Sequence, residues 1–169
     1  MRHKCYLLLG SNLGDRSRNL NLAISEVKKV STNLIESKRY ITEPWGFTSN
    51  ESFLNVALEI ETELNPYILL EVLLKIEKHL GRVRAIQKEE TKSYSSRIID
   101  IDILFYDRKI ISSEHLIIPH PRFHLRNFAL APMCDLNKDL VHPVLNSKIW
   151  ELYKQTTDKN TILAINKEA

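Results

Sequence analysis

Six segments in the order strand, helix, strand, strand, helix, strand predict an α+β fold of the ferredoxin-like type. In such a fold an antiparallel sheet carries helices packed on one face. Here a short helical C-terminal extension is expected to follow. Three observations support this. Two stretches hold apolar residues at helical spacing, each opened by a capping residue. Others alternate apolar and polar residues with a period of two, as half-buried strands do. No repeat or low-complexity linker divides the 169 residues, so one domain spanning residues 1–169 is expected, large enough to bury a core.

Taken in order, Tyr6–Leu9 reads as a short apolar strand ending at Gly10-Ser11-Asn12. Asp15 can cap a helix whose apolar stripe is Leu20, Ala23, Ile24, Val27 and Val30. Leu34–Ile41 is the second strand, and the loop Thr42–Asn50 follows by its Pro, Gly and polar content. Phe53–Leu64 alternates, with Leu54, Val56, Leu58 and Ile60 on one face and Phe53, Asn55 and Ala57 on the other. Asn65-Pro66 opens the second helix, Leu69, Val72, Leu73, Ile76 and Leu80 form its stripe, and Gly81 closes it. Arg82 to Arg97 is polar and long, the profile of a functional loop that folds over a ligand. A strand follows, then a turn near Asp107-Arg108, and short helices near Phe128–Leu136 and Ser147–Lys154.

Composition excludes more than it selects. A net charge of +3 is too small to imply a nucleic-acid partner. No apolar run has the length of a signal peptide or a membrane span, so no membrane partner and a cytoplasmic location are expected. Cys5 and Cys134 lack metal or redox spacing and read as buried thiols of a reduced compartment. His120 and His124 have the i, i+4 spacing of a helical zinc site, but Pro119 and Pro121 oppose a helix there. Gly10-Ser11-Asn12-Leu13-Gly14 has no P-loop lysine and reads as a structural turn.

The stretch Ser96–Phe105 is the most informative segment, alternating as a strand does. Ile99, Ile101, Ile103 and Phe105 fall on one face, Asp100 and Asp102 on the other. Carboxylates at i and i+2 of a strand have Cα atoms roughly 6.7 Å apart and point the same way. Unpaired, they repel, and one holds its proton to higher pH. A divalent cation relieves this. Arg82, Arg84 and Arg97 nearby in sequence suit phosphate, because a guanidinium offers planar paired donors. Phe53 and Asn55 share a face of their strand, and Asn55, an amide set in an apolar strand, needs a polar partner.

Several motifs together resemble the 6-hydroxymethyl-7,8-dihydropterin pyrophosphokinases: Gly10-Ser11-Asn12-Leu13-Gly14-Asp15, Thr42-x-Pro44-Trp45-Gly46, Phe53-Leu54-Asn55, Gly81-Arg82-Val83-Arg84, Arg97 to Leu104, and Pro119-His120 followed by Arg126-Asn127-Phe128. The resemblance spans nearly the whole chain in order and spacing. It implies diphosphate transfer from ATP to a pterin alcohol, with two Mg²⁺ ions on Asp100 and Asp102. Arg82, Arg84, Arg97, Asp100 and Asp102 would then be catalytic. Thr42, Pro44, Trp45, Phe53, Asn55, Asp100 and Phe128 would bind the pterin. Leu74, Glu77, Arg82, Arg84, Arg97, Ile103, His115, His120 and Arg126 would bind ATP. A monomer is expected. The chain departs from the family's pattern at Tyr94-Ser95-Ser96, where Gly-Pro is common, at Ala85, where a basic residue is common, and at Leu74, where a polar one is.

Two alternatives stay open on the residues alone. A palm-type two-metal nucleotidyl transferase would need a second acidic strand or a large nucleic-acid surface. An RNA-binding module using the sheet face would need aromatics where Asp100 and Asp102 stand.

Overall fold

A computed structural model of the chain describes residues 1–83 and 96–165. The predicted series is present as β1 (His3–Ser11), α1 (Arg16–Lys28), β2 (Asn33–Thr42), β3 (Phe53–Thr62), α2 (Pro66–His79) and β4 (Asp100–Tyr106). A small hairpin of β5 (Ile111–Ser112) and β6 (Ile117–Ile118) follows, then α3 (Asn127–Asn137), α4 (Ile149–Gln155) and β7 (Ile162–Ile165). The sheet runs β4-β1-β3-β2-β7, antiparallel throughout, which is the ferredoxin-like order with a fifth strand added at the β2 edge.

Local chemistry sets the helix ends. The Asp15 carboxylate accepts from Arg18 N at 2.9 Å, and the Asn65 side chain accepts from the N–H groups of Tyr67 and Ile68. Pro66 occupies the first turn, where its missing N–H costs nothing. Gly81 stops α2 at φ +97°, a left-handed value that a side chain would strain. The stripes of α1 and α2 bury Leu20, Ala23, Ile24, Val27, Leu69, Leu73 and Ile76 against Leu7, Leu9, Val56, Leu58, Ile60, Ile99, Ile101 and Ile103.

The second face is built differently from the open floor that alternation suggests. The extension folds back over it. Leu130 and Met133 of α3 and Leu152 of α4 cover Tyr6, Leu8, Ala57, Leu104 and Phe105 in a second core. Phe105 therefore lies on the opposite face from the one its alternation predicts. The cause is a bulge in β4: Tyr6 pairs with Phe105 but Leu7 pairs with Ile103, so Leu104 is the extra residue. One inserted residue turns every later side chain over. The turn at Asp107-Arg108 is present, with Asp107 at φ +47°, but the strands after it pair with each other and not with β4. The strand β7 carries too little alternation to be read from its sequence.

Cys5 is fully buried and Cys134 half-buried, and both are free thiols. Among the described residues, no helix is long and apolar enough to cross a membrane.

Candidate active site

Among the described residues one end of the second face holds an open cleft, and there the register sets a row of three residues across the sheet. Gly10 of β1 lies opposite Asn55 of β3 on one side and opposite Asp100 of β4 on the other. Two residues down β1, Leu8 lies opposite Asp102 and Ala57. With no side chain of its own, Gly10 leaves a floor between an amide and a carboxylate. A Cβ built there would stand 2.6 Å from Asn55 Oδ1, closer than real contacts allow. A glycine-rich segment without a P-loop lysine reads as a structural turn, whereas Gly10 is the last but one residue of a strand and lines the cleft.

The cleft is lined by Leu8, Gly10, Asn55, Asp100 and Asp102 below, and by Thr42, Glu43, Trp45, Phe47, Phe53, Arg97, Arg126 and Phe128 around. Of the expected pterin residues, Pro44 alone does not line it. Glu43, Phe47 and Leu8 were not singled out from the sequence. Phe47 has a signal in retrospect, an aromatic in the polar loop before Phe53, and it meets Phe53 edge-on at 6.2 Å. Asn55 is buried, and its amide N–H donates to Thr42 Oγ1 at 2.7 Å. Its Oδ1 faces the space above Gly10.

Asp100 is not a bare carboxylate. Arg82 binds its Oδ1, and Arg97 Nη1 binds its Oδ2 at 2.9 Å. Both arginines are fixed in turn. Glu77, 2 % exposed, pairs with Arg82 at 2.7 Å and accepts from Ile101 N at 2.7 Å, tying α2 to the β4 edge. The backbone of Arg97 is held on both sides by Asn12: Arg97 N donates to Asn12 Oδ1 at 2.7 Å, and Asn12 N donates to Arg97 O at 3.1 Å. This is what the Gly-Ser-Asn segment does.

Asp102 is in a different state. Burial, with the charge of Asp100 added, pushes its carboxyl up to about 7, although a side chain 32 % exposed to the cleft lets water temper the shift. His120 Nε2 stands 3.8 Å from Asp102, too far for a hydrogen bond. Burial, and then the charge of Arg126, lower the His120 imidazole to about 4, so it is neutral at ordinary pH and supplies no counter-charge. Two carboxylates on one face, one of them disfavoured as an anion, could serve as donors to an added divalent cation. Among the described residues no group of three or more His, Cys, Asp or Glu side chains gathers to hold a metal, so any further ligands would be water or substrate oxygens.

Arg126 was expected on the ATP side. Its guanidinium lies over the Trp45 ring at 4.7 Å and 5.5 Å from that of Phe128, among the aromatic walls. Leu74, Ile103 and His115 do not line the cleft: Leu74 is exposed on α2, Ile103 is buried under the helices, and His115 is exposed beside Glu114. Glu77 is likewise buried behind the cleft rather than in it. Arg84, and with it Ala85, Tyr94 and most of the loop from Arg82 to Arg97, lies outside the described residues.

Fold and cleft together define a class: α+β proteins that gather carboxylates, guanidinium groups and aromatic rings at one open end of a ferredoxin-like sheet. Within it, the chain belongs to the 7,8-dihydro-6-hydroxymethylpterin-pyrophosphokinase family, whose model matches residues 6–138. A Haemophilus influenzae 2-amino-4-hydroxy-6-hydroxymethyldihydropteridine pyrophosphokinase is 38 % identical over 160 residues, covering 93 % of this chain and 95 % of its own length. Its Bacillus subtilis namesake is 39 % identical over 138 residues, covering 80 % and 79 %. A Pneumocystis carinii folic acid synthesis protein is 40 % identical over 158 residues, but the chain spans only 20 % of its length. The fold matches that of a solved Plasmodium falciparum HPPK-DHPS with pteroate, at TM-score 0.73 and 18 % identity, over 92 % of this chain and 44 % of that one.

Proposed function

We propose that the chain transfers diphosphate from ATP to the hydroxymethyl oxygen of 6-hydroxymethyl-7,8-dihydropterin, releasing AMP, as a step in folate synthesis. The observation that carries this reading is the row Asn55, Gly10 and Asp100, which sets a ring-reading amide beside a carboxylate already in contact with two arginines. A pterin lying over Gly10 meets Asn55 Oδ1 with its N–H edge, and Thr42 Oγ1 keeps that amide turned the right way. Phe53 and Phe128 supply the stacking faces, with Trp45 and the backbone near Pro44 closing the edge. The hydroxymethyl arm then reaches toward Asp100.

Transfer of a diphosphate needs charge neutralisation and positioning more than covalent catalysis. Asp100 and Asp102 are the residues that would hold Mg²⁺, two ions in the reading favoured here. When bound, Mg²⁺ would neutralise phosphate charge and make the hydroxymethyl oxygen a better nucleophile. The oxygen bonds the β-phosphorus as the bridge to the α-phosphate breaks. Arg82 and Arg97 are held at their backbones, Arg82 N donating to Glu77 O at 3.0 Å and Arg97 N to Asn12 Oδ1, so their heads can pass from Asp100 to incoming phosphate oxygens. Arg84 is assigned the same work from the loop. His120 and Arg126 border the nucleotide side. Ile103 would meet the nucleotide through its backbone, since β4 is an edge strand. Leu74 and His115 would contribute contacts at the rim, and Glu77 acts through Arg82.

We take residues 1–169 to act as one domain, a monomer of the cytoplasm with ATP and the pterin as its only partners. Neither the nucleotidyl transferase nor the RNA-binding alternative gains support from the cleft or the relatives. The test is incubation with ATP, Mg²⁺ and 6-hydroxymethyl-7,8-dihydropterin. AMP should form one for one with the pterin diphosphate. Formation of ADP, or no reaction alongside a salt-dependent RNA affinity, would overturn the reading.

A further inference from the structure

Two cleft residues, Arg126 and Phe128, flank Asn127, the first residue of α3, and something outside the cleft holds that residue still. Arg126 is the N-cap residue of α3 but makes no side-chain cap. The cap comes instead from a distant segment. Asn127 N donates to Asp158 Oδ2 at 2.9 Å, across 31 residues of sequence. The Asn127 amide returns the contact, donating to Asn160 O at 2.8 Å and Asp158 O at 3.4 Å. The other carboxylate oxygen of Asp158 accepts from Asn160 N at 3.0 Å, so the acid is locked at both ends. Asn127 is buried, 6 % exposed.

The same segment grips the opposite wall. Thr161 N donates to Glu43 Oε2 at 3.2 Å, and Glu43 N donates to Thr161 O at 3.4 Å. Four residues of β7 then pair with β2 up to Thr42, the partner of Asn55. The C-terminal segment thus bridges the Thr42–Trp45 wall and the start of α3, and the Arg126–Trp45 stack at 4.7 Å closes the same gap inside the cleft.

We propose that Asp158 is a positioning residue for the ligand cleft: by capping α3 at Asn127 it sets Arg126 and Phe128 against Trp45. This rests on the reading that the cleft binds the pterin. A carboxylate at a helix N-terminus both satisfies a free N–H and complements the helix dipole, so its loss frays the first turn. That turn carries the two cleft residues. Asp158 itself does not line the cleft.

The experiment uses the full chain and two readouts. In a Trp150→Phe background Trp45 is the sole tryptophan, and its emission reports the Arg126 stack without any ligand. Calorimetry of 6-hydroxymethyl-7,8-dihydropterin, in Mg²⁺ and a non-hydrolysable ATP analogue, reports the cleft. Asp158→Ala should shift Trp45 emission and weaken pterin binding about tenfold, from the typical worth of a cap. Asp158→Asn, which keeps an acceptor oxygen, should recover affinity to within about threefold, because Asn is as good a cap as Asp. Unchanged emission and unchanged affinity in Asp158→Ala would overturn the proposal, as would a loss that Asp158→Asn fails to recover. If the parent protein binds no pterin, the reading of the cleft fails, while the emission shift still decides the clasp. Should Asp158→Ala not fold, Asn127→Pro, a residue tolerated at the first helical position, removes both the N–H that Asp158 accepts and the amide bonds to Asp158 O and Asn160 O, and unchanged emission with unchanged affinity there would overturn the proposal.

Discussion

Replacing Gly10 with alanine tests the cleft floor with a single methyl group. The added Cβ would fall 2.6 Å from Asn55 Oδ1 and 3.6 Å from Phe53 Cδ1. The second contact is ordinary; the first is not. To reach a normal separation Asn55 must withdraw by most of an ångström. Its only anchor in that direction is the 2.7 Å bond to Thr42 Oγ1, in a buried setting. Withdrawal breaks or bends that bond, and a buried polar group left unsatisfied costs about 1–3 kcal/mol. Set against this, alanine in a strand interior regains roughly 0.5–1 kcal/mol over glycine. The two offset in part in stability, but they do not offset in function, because only the first moves the amide. Gly10→Ala should therefore be less stable than the parent by about 0–2.5 kcal/mol while binding the pterin roughly 10- to 100-fold more weakly. Calorimetry and urea denaturation measure the two quantities. A double-mutant cycle sharpens the outcome: in an Asn55→Ala background, Gly10→Ala should cost nothing further in affinity. Additive losses, or a Gly10→Ala protein of parental affinity, would refute the assignment of Gly10 as floor and Asn55 as reader.

The remaining expectations concern charge. Asp100→Ala and Asp102→Ala should each lower Mg²⁺-dependent turnover on the order of 10²–10³, by stopped assays of AMP. Their stabilities should diverge in the absence of ligand: Asp100→Ala takes a carboxylate partner from both Arg82 and Arg97 and destabilises, whereas Asp102→Ala removes a carboxyl already disfavoured by burial and should not. Glu77→Gln keeps an acceptor for Ile101 N but drops the ion pair with Arg82, and should cost about 1–3 kcal/mol in urea melts without loss of fold. Acid should weaken the fold through His142, whose ring accepts from Val144 N and Leu145 N and is lowered from 6.5 to about 4, by burial first and then by His124. The unfolded chain takes up that proton and the native one does not, so this contribution is complete above the ordinary histidine range and is lost as pH falls toward 4, by up to about 3 kcal/mol. His142→Asn should flatten the stability curve in that window, and an unchanged slope would place the uptake elsewhere.

What the sequence makes legible follows from the range of the forces involved. Asp15, Asn65-Pro66 and Gly81 act on the turn beside them, so the helix ends are readable, and period-two alternation put Leu54, Val56, Leu58 and Ile60 on the helix side, where they are. The bulge at Leu104 is not readable, because an extra residue in β4 is defined only against β1. Nor is β7, a four-residue strand that exists because β2 offers it an edge. The same distinction divides the site. Asp100, Asp102, Asn55 and Phe53 share a face by alternation within one strand or its neighbour. Gly10 as floor, Asn12 as the brace of Arg97, and Glu77 as the brace of Arg82 are pairings across strands or between helix and strand, with no trace in local pattern.

This division has a physical consequence for how the cleft is built. Several residues proposed to touch ligand are held in place by a neighbour: Asn55 by Thr42, Arg97 by Asn12, Arg82 by Glu77, and Arg126 with Phe128 by Asp158. Three of these braces, Thr42, Asn12 and Glu77, are themselves buried, where a lost partner costs most. Substitution at a brace should thus act on affinity and stability together, while substitution at Asp102, which no described cation balances through a short contact, acts on function alone. The cleft gives up its own stability at that one carboxylate, and there the binding energy of an arriving cation has most to gain.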